Sequence, residues 1–354
     1  MKNRIGLIVS DERLSKSVQN LLTADDGVEL AGTYASPAEA DDIRHADDLL
    51  IIYGIGRDHG KSLDELRAIQ LSGPYPIIGV GSVADAAPIL FDGFRLGMLD
   101  FIALSPEMIE DTADSPLAQT VKSIGAAGGG SVDRITRAKL KPFKEAERSE
   151  PSERAAYYVV LGVPRGGMAC AVRLLTQLPR RRDTALVVTL PIPPASMAPF
   201  IADLNPYAQW SVRPALEGEE IYGGGCYLFS YFEPYGVEGA ADGKCRIVTR
   251  TGNDRPIDSI MQDLSGPFGG SVVGVLLEGI GSDGIDGLSA VKSKGGTTLT
   301  IKPGAGVLTA AAAGAFAEGA ADLLVDGDDL PKALAAFMAE MYDIANINRL
   351  LTHE

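Results

Sequence analysis

The sequence predicts two α/β domains, and three observations carry that expectation. Short apolar runs rich in Ile, Val and Leu alternate with segments whose apolar residues recur at helical spacing. The alternation is interrupted between about residues 127 and 155 by a stretch with the composition of a linker. A chain of 354 residues that is 45% hydrophobic is long enough to bury a core on each side of that break.

In the first half, residues 1–127, strands are expected at Ile5–Val9, Val28–Gly32, Leu49–Tyr53, Ile77–Val80 and Phe101–Leu104. Helical segments between them make an open parallel sheet the natural arrangement. The first helix should begin near Asp11 and place Leu14, Val18, Leu21 and Leu22 on one face, against the sheet. The interruption, residues 128–154, opens on Gly128-Gly129-Gly130-Ser131, a flexible hinge by composition. A basic stretch follows, with Arg134, Arg137, Lys139, Lys141 and Lys144, and then the acidic Glu145 to Glu150. A solvated linker is the favoured reading over a docking segment.

The second half, residues 155–350, starts at the strand Tyr157–Leu161 and continues with strands at Ala185–Leu190, Val272–Leu277, Thr297–Ile301 and Asp322–Val325. Helices are expected near 166–177, 284–294, 305–317 and 328–343. The middle, about 208–262, is rich in Gly and Tyr with alternating runs at Cys226–Tyr231 and Lys244–Thr249, and reads as a β-hairpin insertion at one end of the sheet.

Composition narrows the function classes. A net charge of −15 works against binding nucleic acid or anionic lipid, so partners should be proteins or small molecules. No window has the roughly 18–20 consecutive apolar residues of a membrane span, and MKNRIGLIVSDERL reads as a first strand, not a signal peptide. Three cysteines, Cys170, Cys226 and Cys245, without a CxxC pair suit a reducing cytoplasm. His45 and His59 lie in the first half and His353 in the tail, which disfavours a histidine-based zinc centre. Gly54-Ile-Gly56 and Gly223-Gly-Gly225 complete no nucleotide-binding pattern, so no cofactor is called for.

Several strings, in order, carry a resemblance: Leu161-Gly-Val-Pro-Arg-Gly-Gly167, Pro193-Pro-Ala-Ser-Met-Ala-Pro-Phe200 with Ala202-Asp-Leu-Asn205, Asp254-Arg-Pro-Ile-Asp258, and Gly279-Ile-Gly-Ser-Asp-Gly284. Nearly the whole chain resembles the chemotaxis protein-glutamate methylesterase family, a receiver domain followed by an esterase domain. The resemblance implies a flavodoxin-like receiver fold and then a doubly wound parallel sheet. It implies a nucleophilic serine where this chain has Pro164, a histidine where it has Pro191, and an aspartate retained as Asp283.

A serine hydroxyl needs a base to take its proton, and the aspartate's task is to orient that base. Proline has neither hydroxyl nor backbone donor, so Pro164 can neither attack nor serve an oxyanion. Asp283 stands just before an expected helix, where capping free backbone donors is the favoured role over catalysis. Arg165, followed by Gly166 and Gly167 at the start of a helix, is a poor base but suited to a carboxylate or phosphate. Ser196 and Ser282 have no histidine partner in their domain apart from the tail residue His353, and Cys170 should face the core.

For the receiver half, the resemblance implies metal-binding carboxylates at Ser10 and Asp11, a phosphate-accepting aspartate at Tyr53, a hydroxyl at Gly81 or its neighbour Ser82, and a lysine at Ser105. An acyl phosphate cannot form on Tyr53. The reading is a degenerate receiver joined to a degenerate esterase, a non-catalytic scaffold or adaptor whose partners, by the resemblance, are chemoreceptor- or kinase-related signalling proteins, with homodimerisation a plausible means of presentation. Its rivals are altered hydrolase chemistry using Arg165, Ser196, Asp283 or a cysteine, and an anion sensor built on Arg165.

Overall fold

The computed structural model describes residues 3–23, 27–40, 49–104, 115–127, 140–143, 151, 153–239, 244–252, 254–304 and 307–339. The first domain runs β1 (Asn3–Ile8), α1 (Glu12–Thr23), β2 (Val28–Tyr34), β3 (Leu49–Gly54), α2 (His59–Ser72), β4 (Ile77–Gly81), α3 (Val83–Ala86), α4 (Leu90–Arg95), β5 (Met98–Ala103) and α5 (Pro116–Ala127). All five strands are parallel, in the order β2-β1-β3-β4-β5. That is the flavodoxin-like order. Along β1 and β3 successive side chains enter opposite layers: Ile5, Leu7, Leu50 and Ile52 join Val18, Leu21 and Leu22 of α1, whereas Ile8, Ile51 and Tyr53 join Leu66 and Ile69 of α2. The final strand begins three residues before the expected Phe101, at Met98, and so includes Asp100.

The second domain runs β6 (Glu153–Arg154), β7 (Tyr157–Gly162), α6 (Met168–Gln177), β8 (Thr184–Leu190), α7 (Pro194–Leu204), β9 (Ser211–Pro214), β10 (Tyr222–Gly223), β11 (Gly225–Ser230), β12 (Tyr235–Gly239), β13 (Cys245–Thr249), α8 (Pro256–Phe268), β14 (Val272–Leu276), α9 (Ile285–Ser293), β15 (Thr297–Ile301), α10 (Ala310–Ala317), β16 (Leu323–Val325) and α11 (Leu330–Ala339). Seven strands form one parallel sheet in the order β16-β15-β14-β7-β8-β11-β9. The strand order reverses beside β7, so the switch point lies between β7 and β14.

The middle segment differs from a simple hairpin insertion. The run at Cys226–Tyr231 supplies β11, fully buried and parallel to β8, and β9 extends the sheet beyond it. Only β12 and β13 form an antiparallel hairpin, seated against α8 through Val237, Ile247, Ile260 and Leu264. Both α7 and α8, absent from the expected helices, begin with proline in their first turn, where its missing N–H costs no helical bond.

The domains share a core. Phe91 of α4 stacks on Tyr207, with ring centroids 5.8 Å apart, and meets Phe200 of α7 edge-on at 6.0 Å; Phe94 approaches the same ring. A single apolar cluster runs from Ile51 and Phe94 through Phe200 to Val159 and Leu161. A second contact joins Leu99 of β5 to Val307 and Leu308. Of the basic stretch only Lys141 lies within the described residues, and it is exposed. Nearby, the Phe143 amide donates to Pro206 O at 2.8 Å.

Candidate functional site

The candidate site lies where β7, β8 and β14 end, at the switch point and beneath β5 of the first domain. Leaving β7, Val163 N–H donates to Thr189 O and the chain turns at Gly166, whose φ of +85° is a left-handed value that favours glycine. Gly167 N–H bonds back to Pro164 O at 3.0 Å, and Ile280 N–H reaches Arg165 O at 3.0 Å, tying this turn to the loop after β14. Pro164 and Pro191 are both buried. Pro164 packs against Gly279, where a Cβ would lie 2.5 Å from the proline's own.

Arg165 points away from this apolar floor. Its Nη1 lies 3.6 Å from Asp100 Oδ2 of β5, and its guanidinium carbon sits 5.8 Å from the centre of the Phe232 ring. Asp100 is 0% exposed. One carboxylate oxygen accepts from the Phe101 amide at 2.9 Å; the other has no hydrogen-bond partner. Burial pushes this carboxyl up to about 6, with Arg165 opposing the shift. Tyr231, at the end of β11, donates to Val163 O at 2.6 Å. Burial, then the neighbouring Asp283, hold its phenol well above the usual range.

Asp283 caps a helix, but not the one that follows it. Its two oxygens accept from Ile257 N–H at 3.1 Å and Asp258 N–H at 3.0 Å, in the first turn of α8. Asp258 returns the bond, accepting from Gly284 N–H at 2.9 Å and Gly287 N–H at 2.6 Å at the start of α9. Each aspartate therefore satisfies free donors of the other's helix. Arg255 completes the frame through Asp258 at 2.6 Å, Asp286 at 2.9 Å and Ser282 O at 2.9 Å. Burial pushes Asp283 up to about 6, against its backbone donors and with Asp258 adding to the rise.

The remaining candidates do not converge on a reaction centre. Ser282 is exposed, and Ser196 is fully buried on α7 with its hydroxyl unpartnered. Among the described residues the sole histidine is His59, in the first turn of α2. Cys170 is buried on α6; burial pushes its thiol up to about 12, Glu278 adding to the shift and Arg173 opposing it, so the thiolate a nucleophile needs is suppressed. Glu278 itself is pushed up to about 7 by burial, with Arg173 opposing.

In the first domain, Ser10 and Asp11 are exposed at the end of β1, and Asp11 accepts from Leu14 N–H at 2.9 Å to cap α1. Tyr53 is 1% exposed and donates to Glu65 at 2.8 Å; burial holds its phenol above the usual range. Gly81 ends β4 with φ +155°, and Ser82 caps α3. Ser105 falls outside the described residues.

Asp100, Tyr231, Phe232 and Asp258 complete the site and carried no functional assignment from the sequence. Asp258 stands in one of the resembling strings, and the Tyr231-Phe232 pair follows a β run. Nothing local distinguishes Asp100 from the other acids.

The fold and site define a doubly wound α/β protein with its candidate site at the switch point, joined to a flavodoxin-like domain that covers it. Residues 159–334 match the family of the CheB methylesterase. Among curated relatives, the protein-glutamate methylesterase/protein-glutamine glutaminase of Lawsonia intracellularis is 26% identical over 353 residues, covering 93% of this chain and 98% of its own. Protein-glutamate methylesterase/protein-glutamine glutaminase 6 of Anaeromyxobacter dehalogenans is 27% identical over 351 residues, covering 94% and 95%. The crystal structure of the Thermotoga maritima CheB methylesterase catalytic domain aligns with 52% of this chain and 99% of its own at 25% identity and a TM-score of 0.48. Among the described residues no helix is long and apolar enough to cross a membrane.

Proposed function

We propose that this chain is a non-catalytic relative of the methylesterases, a cytoplasmic signalling scaffold or regulatory adaptor that acts by binding. The observation that carries the reading is the site's composition. Buried prolines, Pro164 and Pro191, stand where the resemblance implies nucleophile and base, and both oxygens of Asp283 accept from the backbone of α8. A carboxylate in that role orients no base. The first domain follows the same logic, because Tyr53 occupies the expected acceptor position and is anchored to Glu65. What remains is a joined two-domain body whose outer surface can recognise a partner, of chemoreceptor- or kinase-related kind by the family resemblance, with a homodimer as one way to present two copies.

The test is methanol release from glutamyl methyl ester peptides by the purified full chain. No release above buffer is expected. Turnover that disappears in Asp283→Ala would overturn the reading in favour of altered hydrolase chemistry.

A further inference from the structure

One face of the first sheet, where Ile8, Ile51 and Tyr53 point, is covered by unequal partners. Strands of a parallel sheet need cover on both faces, and on this one α2 supplies Leu66 and Ile69. Among the described residues the connection from β2 to β3 adds the single turn Pro37–Glu39 and Ala40. Small side chains on that turn, and Ala68 on α2, leave volume unfilled between turn and helix. The result is an open cavity of about 530 Å³. Its floor is Ile8, Ile51, Ile69 and Tyr75, all buried. Gly73 makes room for that floor, since a Cβ there would lie 2.7 Å from the Tyr75 ring. Leu71, 87% exposed, lines the cavity from the solvent side.

The lining decides what class of molecule fits. No charged side chain borders the cavity. The Ser72 hydroxyl already donates to Ile69 O at 2.8 Å, and the Gln70 amide to Tyr75 O at 3.3 Å. Charges stand in the adjoining groove past Pro37, Ala38 and Ala68, where they pair with one another. Lys61 lies 3.7 Å from Glu65, and Arg67 lies 2.6 Å from Asp64. A charged ligand entering the cavity would lose its hydration and meet no opposite charge.

We infer that this cavity is a binding site for an uncharged, predominantly apolar small molecule, held between β1, β3 and α2 of the first domain. The volume falls within the span of small-molecule pockets, about 300–1,000 Å³. Apolar walls without free polar groups hold water poorly, so a hydrocarbon surface gains by replacing it. An exposed leucine beside such walls extends the apolar surface to the entrance. The site is independent of the cleft after β7, and it stands whether or not that cleft is catalytic. A bound molecule would touch Ile51 of β3 and Ala68 of α2, the same two elements that the Tyr53–Glu65 hydrogen bond joins. Occupancy therefore clamps α2 to the sheet.

The experiment is fluorescence titration of the full chain with uncharged N-phenyl-1-naphthylamine and anionic 1-anilinonaphthalene-8-sulfonate, beside thermal unfolding and sedimentation. The neutral probe should fill one saturable site and raise the unfolding midpoint as its concentration rises. The sulfonate should bind about tenfold or more weakly, because it brings a charge into apolar walls. Ala68→Phe fills the cavity from an exposed position of α2, and Leu71→Glu sets a charge at its entrance. Each should weaken the neutral probe by about tenfold or more, and either variant that keeps the wild-type circular dichroism decides the question. Leu216→Glu, at an exposed leucine of the second domain, should bind as wild type does. Absence of a saturable site, equal binding of the two probes, or neutral-probe binding unchanged in the cavity variants overturns the inference. A concentration-dependent dimer that Leu71→Glu dissociates also overturns it, because a second copy of the chain then covers the cavity.

Discussion

At the ends of β1, β3 and β4 the polar side chains serve their own domain, whereas after β7 one reaches across a domain boundary. Asp11 caps α1, Tyr53 is anchored to Glu65 and Ser82 caps α3, so each stabilises the element beside it. Arg165 instead faces a buried carboxylate of the other domain. The cross-capped pair Asp258 and Asp283 holds the loop beneath it in place. The contrast teaches that polar side chains at strand ends can serve the element beside them, as Asp11, Tyr53 and Ser82 do, or a contact between domains, as Arg165 does.

The largest expected effect tests whether the two regions belong to one body. Phe200 is 0% exposed and meets rings from both α4 positions, Phe91 and Phe94. Phe200→Ala should cost about 3–5 kcal/mol in urea unfolding of the full chain, as for other buried aromatic truncations. A loss below about 1 kcal/mol would mean that the domains fold without a shared core.

The next effect is a pH dependence that belongs to the second region and its covering strand. Burial raises Asp100 and Asp283 to about 6 and Glu278 to about 7. Their folded values exceed their unfolded ones, so the folded chain holds protons that the unfolded chain releases. Their contribution is greatest at low pH and is lost as pH rises through about 6 to 7. The Asp100 part alone is of order 1–3 kcal/mol, and Asp100→Asn should flatten the stability profile between pH 5 and pH 8. An unchanged slope in that variant would remove Asp100 from the account.

Smaller effects sharpen the contrast. Asp283→Ala should cost about 1–2 kcal/mol by uncapping α8, and Asp283→Asn less, because its carbonyl can still accept. Tyr53→Phe should cost about 0.5–1.5 kcal/mol, the net value of one hydrogen bond. No measurable change in thermal unfolding for Tyr53→Phe would mean that its phenol contributes nothing beyond its ring.

The sequence made the parallel strands legible because runs such as Leu49–Ile52 and Val272–Leu276 are buried on both faces, which leaves a continuous apolar signature. Pro164, Pro191 and Asp283, singled out by the local strings, lie in the loops after β7, β8 and β14. Helices α7 and α8 were obscured by prolines, Pro199 and Pro267 lying inside them in addition to those at their starts. Similarly, β11 was read as part of a hairpin because its alternation of glycine, tyrosine and phenylalanine does not reveal whether its neighbours are local or distant. The partner of Asp283 lies 25 to 26 residues earlier in sequence, beyond any local capping pattern. Asp100 becomes meaningful only when the domains meet, since its cation belongs to the other one.

The measurement that bears most directly on the whole account is amide hydrogen exchange at residues 98–101 and 163–167 of the intact chain, with and without acetyl phosphate and magnesium. Both segments meet at the interdomain contact, and Tyr53 offers no carboxylate for a phosphoryl group. Identical protection in the two conditions and an unaltered intact mass are expected. A phosphoryl adduct accompanied by faster exchange at both segments would contradict it, because the first domain would then retain a working trigger that uncovers the cleft.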